Sequence, residues 1–97
     1  MNSRQRIIDA VDRSAQEMFA LLSEIICIQS GSRNKAGVDR MARRIASALD
    51  GGGMACRIIP QSGCGDHVVA RTAAWRPDGR QVLITGHMDT VFPADTA

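Results

Sequence analysis

Ninety-seven residues with a net charge of +2, from 12 basic and 10 acidic side chains, allow at most one domain with a modest core. That balance gives no broad basic surface, so nucleic acid is not expected as a partner. The apolar fraction of 44% suits a globular chain, but aromatic residues are only 3%, which leaves the packing to aliphatic side chains and methionine and supplies few aromatic binding anchors.

The first residues mix Arg4 and Arg6 with Asp9, Asp12 and Arg13. No signal peptide and no segment of transmembrane length is read from them, so a soluble, cytoplasmic protein with no membrane partner is expected. Residues 5 to 28 predict one long helix. Ile7, Ile8, Val11, Ala15, Met18, Phe19, Leu22, Ile25 and Ile26 recur at spacings of three and four, giving one apolar stripe. Met18 and Phe19 are expected in the core, with Glu17 and Glu24 facing solvent.

Residues 29–37, Gln29-Ser30-Gly31-Ser32-Arg33-Asn34-Lys35-Ala36-Gly37, are dense in turn formers and predict a loop whose Ser and Asn side chains can cap a second helix. That helix is predicted over Ala36 to Asp50, with Val38, Met41, Ala42, Ile45 and Leu49 on one face and Arg40, Arg43 and Arg44 on a solvated one. Gly51-Gly52-Gly53 ends it, because glycine accepts the left-handed backbone of a helix exit. The triplet comes after a helix instead of opening one, which is the wrong polarity for a phosphate cradle.

Two strands are predicted next, over Met54 to Pro60 and His67 to Thr72, close enough in sequence for an antiparallel pair. Cys27, Cys56 and Cys64 form no C-x-x-C pair, so a disulfide framework is not expected and a reducing compartment fits. Cys27 and Cys56 read as small core residues. Trp75-Arg76-Pro77-Asp78-Gly79-Arg80 predicts a turn. The chain then reaches Val82-Leu83-Ile84-Thr85-Gly86-His87-Met88-Asp89-Thr90-Val91-Phe92-Pro93. Residues 81–86 predict a strand that Pro93 keeps from extending, with its polar residues at the C-terminal edge. The fold class is α/β: two N-terminal helices, a hairpin and this motif strand, the beginning of a layer whose last strand has an uncovered edge.

On a strand, His87 and Asp89 point the same way, and an imidazole beside a carboxylate suits a metal ligand and the group that orients it. The donors available are few: His67, His87, Cys64, Asp66, Asp89 and Asp95. A closed zinc site from Cys64, His67, His87 and Asp89 satisfies the usual ligand count but rests on no recurring spacing. No G-x-S-x-G elbow, P-loop or G-x-G-x-x-G is present. No glutamate comes after Glu24, which removes the most natural general base from the neighbourhood of His87.

Val82 to Val91 resembles the first metal-binding motif of the M20 family of zinc metallopeptidases, which includes glutamate carboxypeptidases and amino-acid-precursor deacylases. Leu22 through Ile28, Ser30-Gly31-Ser32, Gly37-Val38-Asp39, the Gly51-Gly52-Gly53 exit and Gly65-Asp66-His67-Val68-Val69-Ala70-Arg71 match that family's N-terminal layout in order. The Ser-Gly-Ser, Asn-Lys-Ala-Gly-Val-Asp, Gly-Asp-His and Asp-Thr-Val-Phe-Pro pieces look most like the glutamate carboxypeptidase branch. The resemblance implies the start of the family's mixed-sheet catalytic domain over residues 1–97, and two zinc ions in the full-length enzyme. By the same resemblance His87 is a metal ligand, Asp89 is the catalytic-site carboxylate that fixes a ligand imidazole, and His67 has no ligand role. The implied substrate is a small peptide or N-acyl amino acid, cut at an amide next to a free carboxylate, and the parent enzyme is compatible with a homodimer. The family's remaining ligands and its general base correspond to polypeptide beyond these residues, so this chain alone is expected to be inactive and to bind zinc weakly. The rival expectations are a deacylase of the same family and a non-catalytic truncated product or interaction module.

Overall fold

Two helices take the place of the single N-terminal helix expected from periodicity. The computed structural model describes residues 2–92; in it α1 spans Ser3–Arg13 and α2 spans Ala15–Ile26. Asn2 caps α1, its side chain accepting from the Gln5 N–H at 2.8 Å. Ser14 makes the break. Its Oγ donates to the Ala10 carbonyl at 2.9 Å, and its own N–H is shared between the Ala10 and Val11 carbonyls. A hydroxyl bonded back onto the preceding turn bends a helix at that point.

The apolar stripe forms, but nothing among the described residues covers it. No residue of α1 or α2 is buried, and Phe19 is 69% exposed. The expectation that Met18 and Phe19 are core residues is therefore corrected: among the described residues no strand packs along either helix, so the amphipathic face stays open. Cys27 is likewise exposed rather than buried; Cys56 is half-buried, and all three cysteines are free thiols.

Asn34 opens the helix that carries the buried apolar residues among those described. Its side chain accepts from the Gly37 N–H at 3.0 Å, starting α3 (Lys35–Gly51) as an N-cap does, and donates to the Gln29 carbonyl at 3.2 Å. Val38, Met41 and Ala42 are its buried apolar residues. The helix leaves through the glycine triplet as predicted. Gly53 has φ +86, its N–H reaches the Asp50 carbonyl, and the Met54 N–H reaches that of Leu49, the paired bonds of a Schellman exit. On the solvated side Arg44 bonds Glu24 of α2.

β1 (Ala55–Ile59) and β2 (His67–Arg71) form the expected antiparallel hairpin, with Ile59 opposite His67 and Ala55 opposite Arg71. α3 packs on it. Gly65, just before β2, is buried against Val38, and a Cβ there would strike the valine side chain. An ionic knot closes the same corner. Lys35 Nζ lies 3.0 Å from Asp39 and 2.9 Å from Asp66, while the Asp66 N–H donates to Asp39 at 2.8 Å and the Gln61 N–H donates to Asp66 at 2.9 Å. After β2, Arg71 stacks 4.1 Å over the Trp75 ring. Residues 76–79 make the predicted turn, closed by Gly79 N–H to the Arg76 carbonyl at 3.1 Å.

The motif strand is a correction. Residues 81–86 form no strand, and Val82, Leu83 and Ile84 are 90%, 86% and 90% exposed. A β-rich run becomes a strand only when a neighbour takes up its N–H and C=O groups and its side chains. Among the described residues no strand runs beside this one, and its backbone bonds no other segment. Pro93, expected to end the strand, lies outside the described residues. The result is a mixed α/β chain of three helices and a two-stranded hairpin, with a radius of gyration of 15.7 Å against about 12.5 Å for a compact domain of this length. No helix among the described residues is long and apolar enough to cross a membrane.

Candidate metal centre

The end of the motif is held although its beginning is not. The Thr90 N–H donates to the Ser30 carbonyl at 2.8 Å and the Ser32 N–H to the Thr90 carbonyl at 2.9 Å, a short parallel bridge centred on Gly31. Glycine is required at that centre: a Cβ on Gly31 would run into the Phe92 carbonyl. Ser30 is buried beneath the bridge, and its hydroxyl has no hydrogen-bond partner among the described residues.

Docking at Thr90 brings Asp89 over Ser32. The Ser32 hydroxyl donates to Asp89 Oδ2 at 2.5 Å. The other carboxylate oxygen, Oδ1, lies 3.2 Å from His87 Nδ1, and that nitrogen is also 2.9 Å from the Asp89 backbone carbonyl. Both neighbours of Nδ1 are acceptors, so Nδ1 carries a hydrogen, and in the neutral tautomer that this selects, the lone pair stands on Nε2. The imidazole is 84% exposed and Asp89 41%. The Ser32 hydrogen bond, then the residue's own backbone N–H and the neighbouring imidazole, hold the Asp89 carboxyl below the usual aspartate range against a partial opposing effect of desolvation.

Of the residues singled out from sequence, the structure brings together His87 and Asp89 alone. Asp66 is occupied by the Gln61 N–H and Lys35, which in that order hold its carboxyl below the usual range. His67 is exposed at the start of β2 and Cys64 is exposed in the loop before it. The closed site of Cys64, His67, His87 and Asp89 is thus not formed: among the described residues no three His, Cys, Asp or Glu side chains come close enough to share a metal ion. Asp95 lies outside the described residues. Ser32 is what sequence reasoning missed. It reads locally as a turn or cap residue, and only the Ser-Gly-Ser pattern hints at more.

The chemistry open to this arrangement is narrow. Ser32 faces the carboxylate, not the ring, so the order is serine, acid, imidazole. A nucleophilic triad needs the imidazole in the middle. What remains is one exposed imidazole, braced at Nδ1 by a carboxylate with Nε2 left free, which is how metal-bound histidines are held. This donor set fits one corner of a zinc site and supplies one of the three or four protein ligands such a site needs. Compared with protein-family models, curated proteins and solved structures, the chain matches none of them.

Proposed function

We propose that this chain carries the first metal ligand of an M20-type zinc metallopeptidase, of the kind that hydrolyses an amide next to a free carboxylate, with His87 as the ligand and Asp89 as the residue that orients it. One observation carries the reading: His87 turns Nδ1 onto Asp89 and leaves Nε2 open to solvent. The resemblance of residues 82–91 to the family's first motif supports it. A deacylase of the same family would use the same half-site, and the choice of substrate would lie with residues other than these.

The role of the chain's own groups is to position. Asp89 holds a ring hydrogen on Nδ1 and fixes the plane of the imidazole, and the bridge at Thr90 ties that pair to residues 30–32. Zinc, when bound, would supply Lewis-acid polarisation of the scissile amide carbonyl. The other donors and a general base would come from outside residues 2–92.

Zinc titration of the full chain, monitored through the ring resonances of His67 and His87, tests the reading. The expected result is weak binding that shifts His87 Nε2 and leaves His67 unmoved. A His87 ring indifferent to millimolar zinc, or a response at His67 first, would overturn it. The second reading, a non-catalytic interaction module, is favoured by the exposed apolar stripe of α1 and α2, and it predicts that indifference.

A further inference from the structure

We propose that Ser32 is the positioning residue of the half-site: its hydrogen bond to Asp89 Oδ2 decides which nitrogen of His87 is offered to a cation. The proposal rests on the metal reading of His87 for its purpose, but not for its geometry.

A carboxylate attached through one Cα–Cβ bond and one Cβ–Cγ bond can turn either oxygen, or neither, toward a neighbour two residues away. The broad torsion about the second bond gives little preference of its own. Something must pin it. Ser32 Oγ does so at 2.5 Å from Oδ2, a charge-assisted bond and therefore a strong one. With Oδ2 held there, Oδ1 is left 3.2 Å from His87 Nδ1. The same serine is fixed in its turn: its N–H bonds the Thr90 carbonyl at 2.9 Å, and its Oγ lies 3.2 Å from that carbonyl. The anchor is therefore built into the backbone bridge and does not depend on a flexible stem.

Two acceptors then face Nδ1, the Asp89 carbonyl at 2.9 Å and Oδ1. Together they select the tautomer with hydrogen on Nδ1, the form in which Nε2 can donate a lone pair to a cation. Without the serine hydroxyl the carboxylate is free to turn away. The carbonyl alone then holds an exposed ring in competition with water, and the hydrogen redistributes toward Nε2.

The experiment is a long-range proton–nitrogen correlation spectrum of the His87 ring, recorded above the pH at which imidazole is protonated. It compares the full chain with its Ser32→Ala and Ser32→Thr variants. In the parent chain Nε2 should resonate as the unprotonated nitrogen. In Ser32→Ala the two nitrogens should move toward each other or exchange roles, and Ser32→Thr, which keeps a hydroxyl, should restore the parent pattern. Backbone amide spectra of residues 35–71 serve as the check that each variant is folded. An Nε2-protonated ring in the parent chain overturns the proposal, as does a ring pattern in folded Ser32→Ala identical to the parent's. The zinc response of the parent separates the two readings. A Ser32-dependent tautomer with no zinc response sustains the positioning role and defeats the metal reading; a zinc response with a Ser32-independent tautomer does the reverse.

Discussion

Lys35 Nζ lies 2.9 Å from Asp66 Oδ1, so the first residue of α3 grips the last residue before β2. Around that contact the Asp39 carboxylate takes the Asp66 N–H and the Asp66 carboxylate takes the Gln61 N–H. Every strong group at this corner between helix and hairpin is therefore matched.

That corner sets a pH window for stability. The Asp66 N–H, then Lys35, hold Asp39 below its usual 3.8, and the Gln61 N–H, then Lys35, do the same for Asp66. A carboxyl with a lowered folded-state pKa stabilises the fold above 3.8, and that contribution is lost as pH falls through the folded value. Lys35 is raised above its usual 10.5 by Asp66 and Asp39, so its contribution is complete below 10.5 and is lost as pH rises through the folded value. Urea midpoints should form a plateau between these limits and decline on both sides. Asp66→Asn should lower the plateau and flatten the acid limb; a variant with the parent's acid limb would show that the knot does not contribute.

Gly65→Ala should destabilise the chain by about 1–3 kcal/mol, the usual cost of forcing a group into filled space, because its Cβ would strike Val38. In the background of Val38→Ala the same change should cost much less. The double-mutant cycle in urea should therefore show coupling well above the few tenths of a kcal/mol expected of independent sites. Additive effects would mean that the close approach is not the cause.

Phe19→Ser and Leu22→Ser should each change stability by no more than about 0.5 kcal/mol, as surface substitutions do, although both positions lie on the apolar stripe. Each side chain is at least half exposed. Thermal or urea unfolding of the two variants checks this, and a loss of about 2–5 kcal/mol, typical of a truncated core residue, would show that the stripe is covered in solution.

Asp89→Asn should weaken the zinc response at His87 by about ten- to a hundred-fold, the usual consequence of altering the group behind a metal-bound imidazole. The measurement is the zinc concentration that half-shifts the ring resonances. An unchanged midpoint would remove Asp89 from the role assigned to it.

What is legible in the sequence is local. The apolar spacing of α3 announces that helix, the glycine triplet its exit, two β-rich runs the hairpin, and Pro-Asp-Gly the turn at 76–79. Ser14 is less legible, since one back-bonded hydroxyl interrupts a helix without disturbing its periodicity. The stretch Val82-Leu83-Ile84 misleads because its composition states what such a strand would be made of, while pairing depends on a neighbour. His87 and Asp89 can be placed side by side from sequence because only two positions separate them. Ser32 cannot be joined to them, because it lies 57 positions from Asp89 and no local pattern reports a contact of that range.

The bridge from Gly31 to Thr90 also orders events in time. Closing a loop of roughly sixty residues carries a larger entropic penalty than forming α3 or the hairpin, whose contacts are near neighbours. Folding should therefore complete the helix–hairpin corner first and seat the imidazole's support last. The same asymmetry makes that seam open before the helix–hairpin corner under native conditions, so the amide of Thr90 should exchange with solvent sooner than that of buried Ala42 in α3.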